Sequence, residues 1–315
     1  MLTPESQDKL AEQIAQDYIQ HQCECVACET ISKRLARFML QRLRKDTEDQ
    51  EAKDKHDEFF GALFKAIEPY ERRMGAMLQG VWDEERRIII ANLKKTKKAW
   101  RTKDKIDNIL YPVSIMEKKI ADETNAIFVD VMTAESERTI DRYSLEMSFD
   151  VENPEVQKWL KAYTPELSKN LEAVNTDVLR RELIAGISDG EGIPQLIKRV
   201  NKAYSNIIGS KQRSEKIART ETLLASNKGN VETYKQSGIV KAKQWQTFFD
   251  RRTCPSCELL DGKIIGLEEN YFSKGDDPEI IEQDGRTYTF KNDYRDIGEP
   301  PRHVSCRCSI VPVLD

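Results

Sequence analysis

The sequence predicts an α+β protein: an elongated helical region first, then a smaller α+β module with one small, clipped β-sheet. Three observations carry that reading. Through the first half, apolar residues recur at helical spacing, with few glycines and no series of strand signals. After Gly238 the period changes to short runs such as Val240, Ala242 and Gln244-Trp245-Gln246, which read as strand. Finally, Cys254-Pro255-Ser256-Cys257 is answered about fifty residues later by His303-Val304-Ser305-Cys306-Arg307-Cys308. A C-x-x-C turn can present two thiolates to one metal, and H-x-x-C-x-C can complete a tetrahedral shell. The loop between them is too polar to bury much surface, so a structural zinc would supply the closure that packing cannot. Cys254, Cys257, His303, Cys306 and Cys308 are thus five candidates for four positions. A disulfide or a set of free buried thiols is the plainer alternative.

In chain order, Thr3 or Ser6 can cap a first helix running to Tyr18. His21, Cys23, Cys25 and Cys28 follow as a cramped second group of metal-ligand residue types. On a helix His21, Cys25 and Cys28 share a face while Cys23 points elsewhere. The group is therefore either a local metal site on an irregular loop, a site completed elsewhere, or a set of partly buried thiols. From Thr30 the stripe Ile31, Leu35, Phe38, Met39 and Leu43 is helical, and Phe59, Phe60, Leu63, Phe64 and Ile67 form a second stripe. Pro69 is expected to mark a kink or restart before Met74, Met77, Leu78, Val81, Trp82, Ile88, Ile89 and Leu93.

The run around Trp100 holds Lys94, Lys95, Lys97, Lys98, Arg101, Lys103 and Lys105, the strongest local positive charge. It suits DNA phosphates or an acidic protein surface, and equally the solvated face of a long helix. A further helix carries Met116, Ile120, Ile127, Phe128 and Val131. Phe149 to Pro154 is read as the boundary between a helical region at 1–150 and a second domain at 151–315. There, a short helix holds Trp159 and Leu160, and another begins near Asn175. A helix enters at Ile193-Pro194, and a longer one runs from Ser214 to Gln236, with Gly238 as its C-terminal cap. Ile264-Ile265, Thr287 to Phe290 and Ser309 to Val313 supply the remaining strands.

The composition excludes some classes. With 315 residues, a formal net charge of −4, 33% charged residues and a mean hydropathy of −0.65, the chain is very polar. It gives no global argument for nucleic-acid binding. Its apolar stretches, such as Ile88 to Ala91, are too short to span a membrane, and its start lacks the features of a signal peptide. A reducing cytoplasm is therefore expected, where seven clustered cysteines fit metal ligands better than a disulfide framework.

Several residues can be compared as an ordered set: Ala218-Arg219-Thr220-Glu221, Asn227, Gly238, Trp245, Asp250, Thr253-Cys254, Cys257, Asp261-Gly262, Pro300-Pro301, His303 and Cys306-Arg307-Cys308. The set resembles the C-terminal signature of the phage head morphogenesis family, the minor head proteins typified by protein F of phage Mu and its phage SPP1 counterpart. The resemblance spans about Thr176 to Val313 and does not include the His21 to Cys28 group. It implies a virion component bound to the portal, at the capsid interior or portal vertex, after assembly in the host cytoplasm. The implied role is in procapsid assembly and in DNA packaging or delivery, without enzymatic activity. Residues 1–150 would then be the portal-docking region, with scaffolding or major capsid protein and packaged DNA as further partners.

Read from the residues themselves, Arg219 and Glu221 do not share a helical face, so each is expected to bond a different neighbour, with Asp250 or loop carbonyls as candidate partners for Arg219. Asp261-Gly262 reads as a turn, and Trp245 as core. The alternative function is a zinc-stabilised DNA-binding protein. A zinc hydrolase is disfavoured, because there is no H-E-x-x-H helix and the chain has three histidines.

Overall fold

The computed structural model describes residues 26–96, 106–110, 113–250, 252–283 and 285–314, with side chains from residue 50 onward. His21, Cys23, Cys25, Lys97, Lys98, Arg101, Lys103 and Lys105 lie outside the described residues, as does the side chain of Cys28. The chain divides into two compact units, Met1–Phe64 and Lys65–Asp315. In the first unit Phe60 and Leu63 are buried, and the rings of His56, Phe59 and Phe64 pack around Phe60.

Helix α1, Val26–Lys95, is continuous, so the chain does not restart at Pro69. A proline inside a helix costs about 3 kcal/mol through its lost hydrogen bond and ring clash. Ile67, Met74, Leu78, Val81, Trp82, Ile89 and Leu93 are all buried in the second unit. At about 1.5–3 kcal/mol for each buried side chain, burial wins. The same reasoning covers α3, Pro154–Ser188, where two shorter helices were expected. It runs unbroken through Pro165 and buries Val156, Leu160, Val178, Leu179 and Leu183 along its length. Its start follows the sequence signal: Pro154 occupies the first turn, and Asn153 Oδ1 accepts from the Glu155 amide at 3.0 Å.

Helices α2 (Val113–Tyr143), α4 (Ile193–Ala203) and α5 (Lys211–Ser237) complete the helical part, and one apolar core joins residues on both sides of 150. A single π turn, Tyr204–Ile208, follows α4. Helix α5 is buried almost all round from Thr222 to Tyr234. A side chain at Gly229 would bring its Cβ to 3.0 Å from the Met132 backbone, so glycine lets α5 lie directly against α2. Gly238, with φ 68°, ends α5 as expected.

The other face of α5 carries the sheet module. Strands β1 (Ala242–Gln246), β2 (Ile264–Gly266) and β5 (Ser309–Val313) form an antiparallel sheet in the order β2-β1-β5, with Trp245 opposite Ile310. β3 (Glu279–Gln283) and β4 (Arg286–Phe290) form a separate two-stranded hairpin. One expectation needs correcting. There are two small sheets among the described residues rather than one, since β3 was not foreseen. Cys254 and Cys257 belong to a short helix, α6 (Pro255–Leu260), and its cap. Among the described residues, no helix is long and apolar enough to cross a membrane.

Candidate metal centre

The first donor segment is shaped by the chain leaving β1. Thr253 Oγ1 accepts from the Asp250 amide at 2.8 Å and donates to the Phe248 carbonyl at 3.0 Å, closing a tight loop. Cys254 then caps α6, its sulfur accepting from the Cys257 amide at 3.3 Å, with Pro255 in the first turn. One helical turn thus brings the Cys257 thiol back beside that of Cys254.

The second segment is turned by Ser305, with φ 63°, and the His303 carbonyl accepts from the Cys306 amide at 3.1 Å. Two anchors fix it. Asn227, fully buried on α5, donates its Nδ2 to the carbonyls of Pro300 and Cys308 and accepts from Ser309 Oγ at 2.9 Å. Arg307 holds both oxygens of Asp250, each at 2.6 Å.

The five donors converge. His303 Nε2 lies 3.1 Å from Cys254 Sγ and 3.5 Å from Cys257 Sγ, and Cys257 Sγ lies 3.8 Å from Cys306 Sγ. They form two groups that share Cys257, one with Cys254 and His303, the other with Cys306 and Cys308. A tetrahedral zinc, with bonds of about 2.3 Å to sulfur and about 2.0–2.1 Å to nitrogen, would hold its donors roughly 3.5–3.8 Å apart. Two of the three distances match, and the 3.1 Å contact is somewhat tighter. The His303 tautomer fits as well. A carbonyl only accepts, so the 3.0 Å contact from Nδ1 to the Val304 carbonyl puts a proton on Nδ1 and turns Nε2, the nitrogen a metal would take, towards the thiols. Cys308 is turned differently, donating to Thr247 Oγ1 at 3.7 Å. All four described cysteines are free thiols, and a 3.8 Å separation is far beyond a disulfide bond. The group is therefore a Cys/His cluster able to chelate a metal.

Electrostatics point the same way. Hydrogen bonding from Cys257, helped by His303, lowers the Cys254 thiol to about 5, while hydrogen bonds to its neighbouring thiolates push Cys257 up. Cys306 is held low chiefly by Cys257, whereas Cys308 is raised by Cys306 and burial against an opposing bond from Cys257. Burial works against a charged His303, but Cys254 and Cys306 outweigh it and bring it up to about 9. Adjacent thiols ionise in opposition because their charges repel, and a cation among them would relieve that repulsion.

Other expected site residues are dispersed. Arg219 pairs with Glu71 of α1 at 3.8 Å rather than with Asp250, whose carboxylate is taken by Arg307. Glu221 accepts from the Tyr163 hydroxyl at 2.9 Å. It lines a cleft of about 520 Å³ with Tyr163, Phe290, Tyr294, Arg295 and His303, a cleft that the sequence did not reveal. Trp245 is core, fully buried and packed edge-on against Tyr271. Gly262 takes φ 74° in the expected turn, while Asp261 Oδ1 also accepts from the Thr247 amide at 2.8 Å. Lys94 and Lys95 are exposed at the end of α1.

The family profile described as Phage Mu protein F like protein matches residues 177–311, a span enclosing every donor of the cluster. This chain is a distant homologue of the phage head morphogenesis and minor head proteins. Minor head protein GP7 of Bacillus phage SPP1 is 27% identical over 161 residues, covering 47% of this chain and 45% of that protein. Uncharacterized protein YqbB of Bacillus subtilis (strain 168) is 24% identical over 208 residues, 65% of this chain and 64% of YqbB. The NAD(+)--arginine ADP-ribosyltransferase EFV of Enterococcus faecalis (strain ATCC 700802 / V583) is 24% identical over 163 residues, 51% of this chain but 28% of EFV. The chain thus spans less than two thirds of each of these relatives. No solved structure matches it.

Proposed function

We propose that this protein is a phage minor head protein that docks on the portal and acts in procapsid assembly and in DNA packaging or delivery. One observation carries the reading: the homologous span, residues 177–311, contains the complete Cys/His cluster, and the relative from phage SPP1 is a minor head protein. The role is one of assembly rather than catalysis, in the virion after folding in the host cytoplasm. Scaffolding or major capsid protein are further candidate partners.

Within this reading Cys254, Cys257, His303 and Cys306 hold a structural zinc, and Cys308 stands beside it on Thr247. Zinc with four protein donors carries no reactive water, so it would act as a cross-link between the two segments. Asn227 and Arg307 hold the second segment against α5 and against the Asp250 loop. Cys254 receives the α6 amide, and His303 keeps its proton on Nδ1.

Mixing the purified chain with assembled portal, then measuring complex mass and imaging it, tests the docking. A portal that binds nothing while another capsid component does would overturn it. The alternative, a zinc-stabilised DNA-binding protein, draws on the lysine run that begins at the exposed Lys94 and Lys95. It requires a salt-sensitive DNA affinity that falls when Lys94, Lys95, Lys97 and Lys98 are neutralised.

A further inference from the structure

Glu279 begins β3, and nothing in the sequence pattern marks it. Its Oε2 accepts from Ser256 Oγ at 2.5 Å and lies 3.1 Å from Arg302 Nη2. Ser256 is fully buried between the two cysteines of the first donor segment, and Arg302 immediately precedes His303 in the second. One carboxylate oxygen therefore touches both ligand-bearing segments.

Arg302 is itself unusual. It is 3% exposed, its guanidinium lies 3.4 Å above the Phe272 ring, and neither of its Nη atoms makes a hydrogen bond. A buried guanidinium with so few polar partners needs nearby negative charge. The Glu279 carboxylate, 3.1 Å from Nη2, supplies that charge.

We infer that Glu279 is a positioning residue of the metal centre: by clasping Ser256 and Arg302 it sets the spacing of the two donor segments. The inference rests on the zinc reading above. Side chains that orient metal ligands from behind typically contribute about 10–100-fold to metal affinity. Glu279 fits that role by geometry, since its loss frees Ser256 and leaves Arg302 buried without its carboxylate.

The test uses the full chain and zinc itself, with affinity measured by competition against a chromophoric chelator. Wild type should bind one zinc per chain. Glu279→Ala should bind about 10–100-fold more weakly. Glu279→Gln, which keeps an acceptor for Ser256 but cannot pair with Arg302, should fall between. The absorption bands of bound cobalt should shift in Glu279→Ala, because donor geometry has changed, an effect that mere loosening of the hairpin would not produce. Arg302→Met should weaken binding similarly, and the double variant should be little worse than either single one, since both remove the same clasp. If Glu279→Ala fails to fold, Glu279→Gln carries the comparison. Variants that bind zinc as tightly as wild type with unchanged cobalt bands would overturn the positioning role and leave the zinc reading standing. A wild type that binds no zinc would overturn both.

Discussion

Arg307 meets Asp250 through two parallel hydrogen bonds, both 2.6 Å long, and the pair joins the segment after β1 to the segment before β5. Arg307 lies between Cys306 and Cys308, and Asp250 lies four residues before Cys254. The fork geometry suits a guanidinium and not an ammonium. Arg307 holds the Asp250 carboxyl well below the usual carboxylate range. Replacing Arg307 with Lys should therefore weaken zinc binding about tenfold, as expected for loss of a group that orients the ligands. Chelator competition measures this, and an affinity equal to wild type would show that the fork is dispensable.

The two cysteines flanking Arg307 should differ. Cys306 Sγ lies 3.8 Å from Cys257 Sγ, whereas Cys308 Sγ is turned to Thr247. Cys306→Ser should abolish stoichiometric zinc binding, and Cys308→Ser should retain it. Elemental analysis of both variants decides the fourth ligand, and the reverse pattern would place Cys308 in the shell. Cys254→Ser or Cys257→Ser should loosen the chain after about Gly238 while far-UV circular dichroism keeps its helical signal. Global loss of helicity would mean that the helical core depends on the centre.

Asn227 is the anchor between helix and centre, with three hydrogen bonds to Pro300, Cys308 and Ser309. Asn227→Ala would leave two buried carbonyls without that donor. At about 1–3 kcal/mol for a buried unsatisfied group, a loss of roughly 2–4 kcal/mol in unfolding free energy is expected. Denaturant melts would measure it, and a loss under about 0.5 kcal/mol, the scale of an ordinary surface change, would refute the anchoring role.

How much of this was legible in the sequence follows from the range of each interaction. Periodicity located the apolar face of α1, and local signals marked Asn153-Pro154, Gly238 and Gly262, because caps and turns are fixed by neighbours in the chain. Spacing alone brought Cys254, Cys257, His303, Cys306 and Cys308 forward. The continuity of α1 through Pro69 and of α3 through Pro165 was hidden, because tertiary burial outweighs a local penalty. The Glu279 clasp was hidden too. It joins residues 23 apart in sequence on one side, from Ser256, and Arg302 on the other, with no motif to signal it. Of the partners open to Arg219, Asp250 is taken by Arg307, a competition that only the fold reveals.

The last prediction concerns the helical core. Glu85 of α1 and Glu172 of α3 are buried, 3% and 0% exposed, and one carboxylate oxygen of each lacks a hydrogen-bond partner within the described structure. Glu172 Oε1 accepts from Trp82 Nε1 at 3.2 Å and from Asn175 Nδ2 at 2.9 Å. The Tyr204 phenol from the π turn and Arg213 from α5 face the same pair. Burial, reinforced by the Glu85 charge, raises Glu172 to about 8. The folded state therefore holds a proton that the unfolded chain gives up near its ordinary value of 4.5. Between those two values the folded state binds more protons, so this group makes stability fall as pH rises from about 4.5 to about 8 and then level off. Glu172→Gln imitates the protonated acid: its amide oxygen can still accept from Trp82 and Asn175, and its NH2 can donate towards Glu85. The variant should match wild type near pH 4.5 and exceed it by a few kcal/mol at pH 8 and above, on the order expected from such a shift. Denaturant unfolding across that range measures the difference. A constant offset between the two proteins, with no growth as pH rises, would show that the carboxyl pair does not share a proton in the folded core.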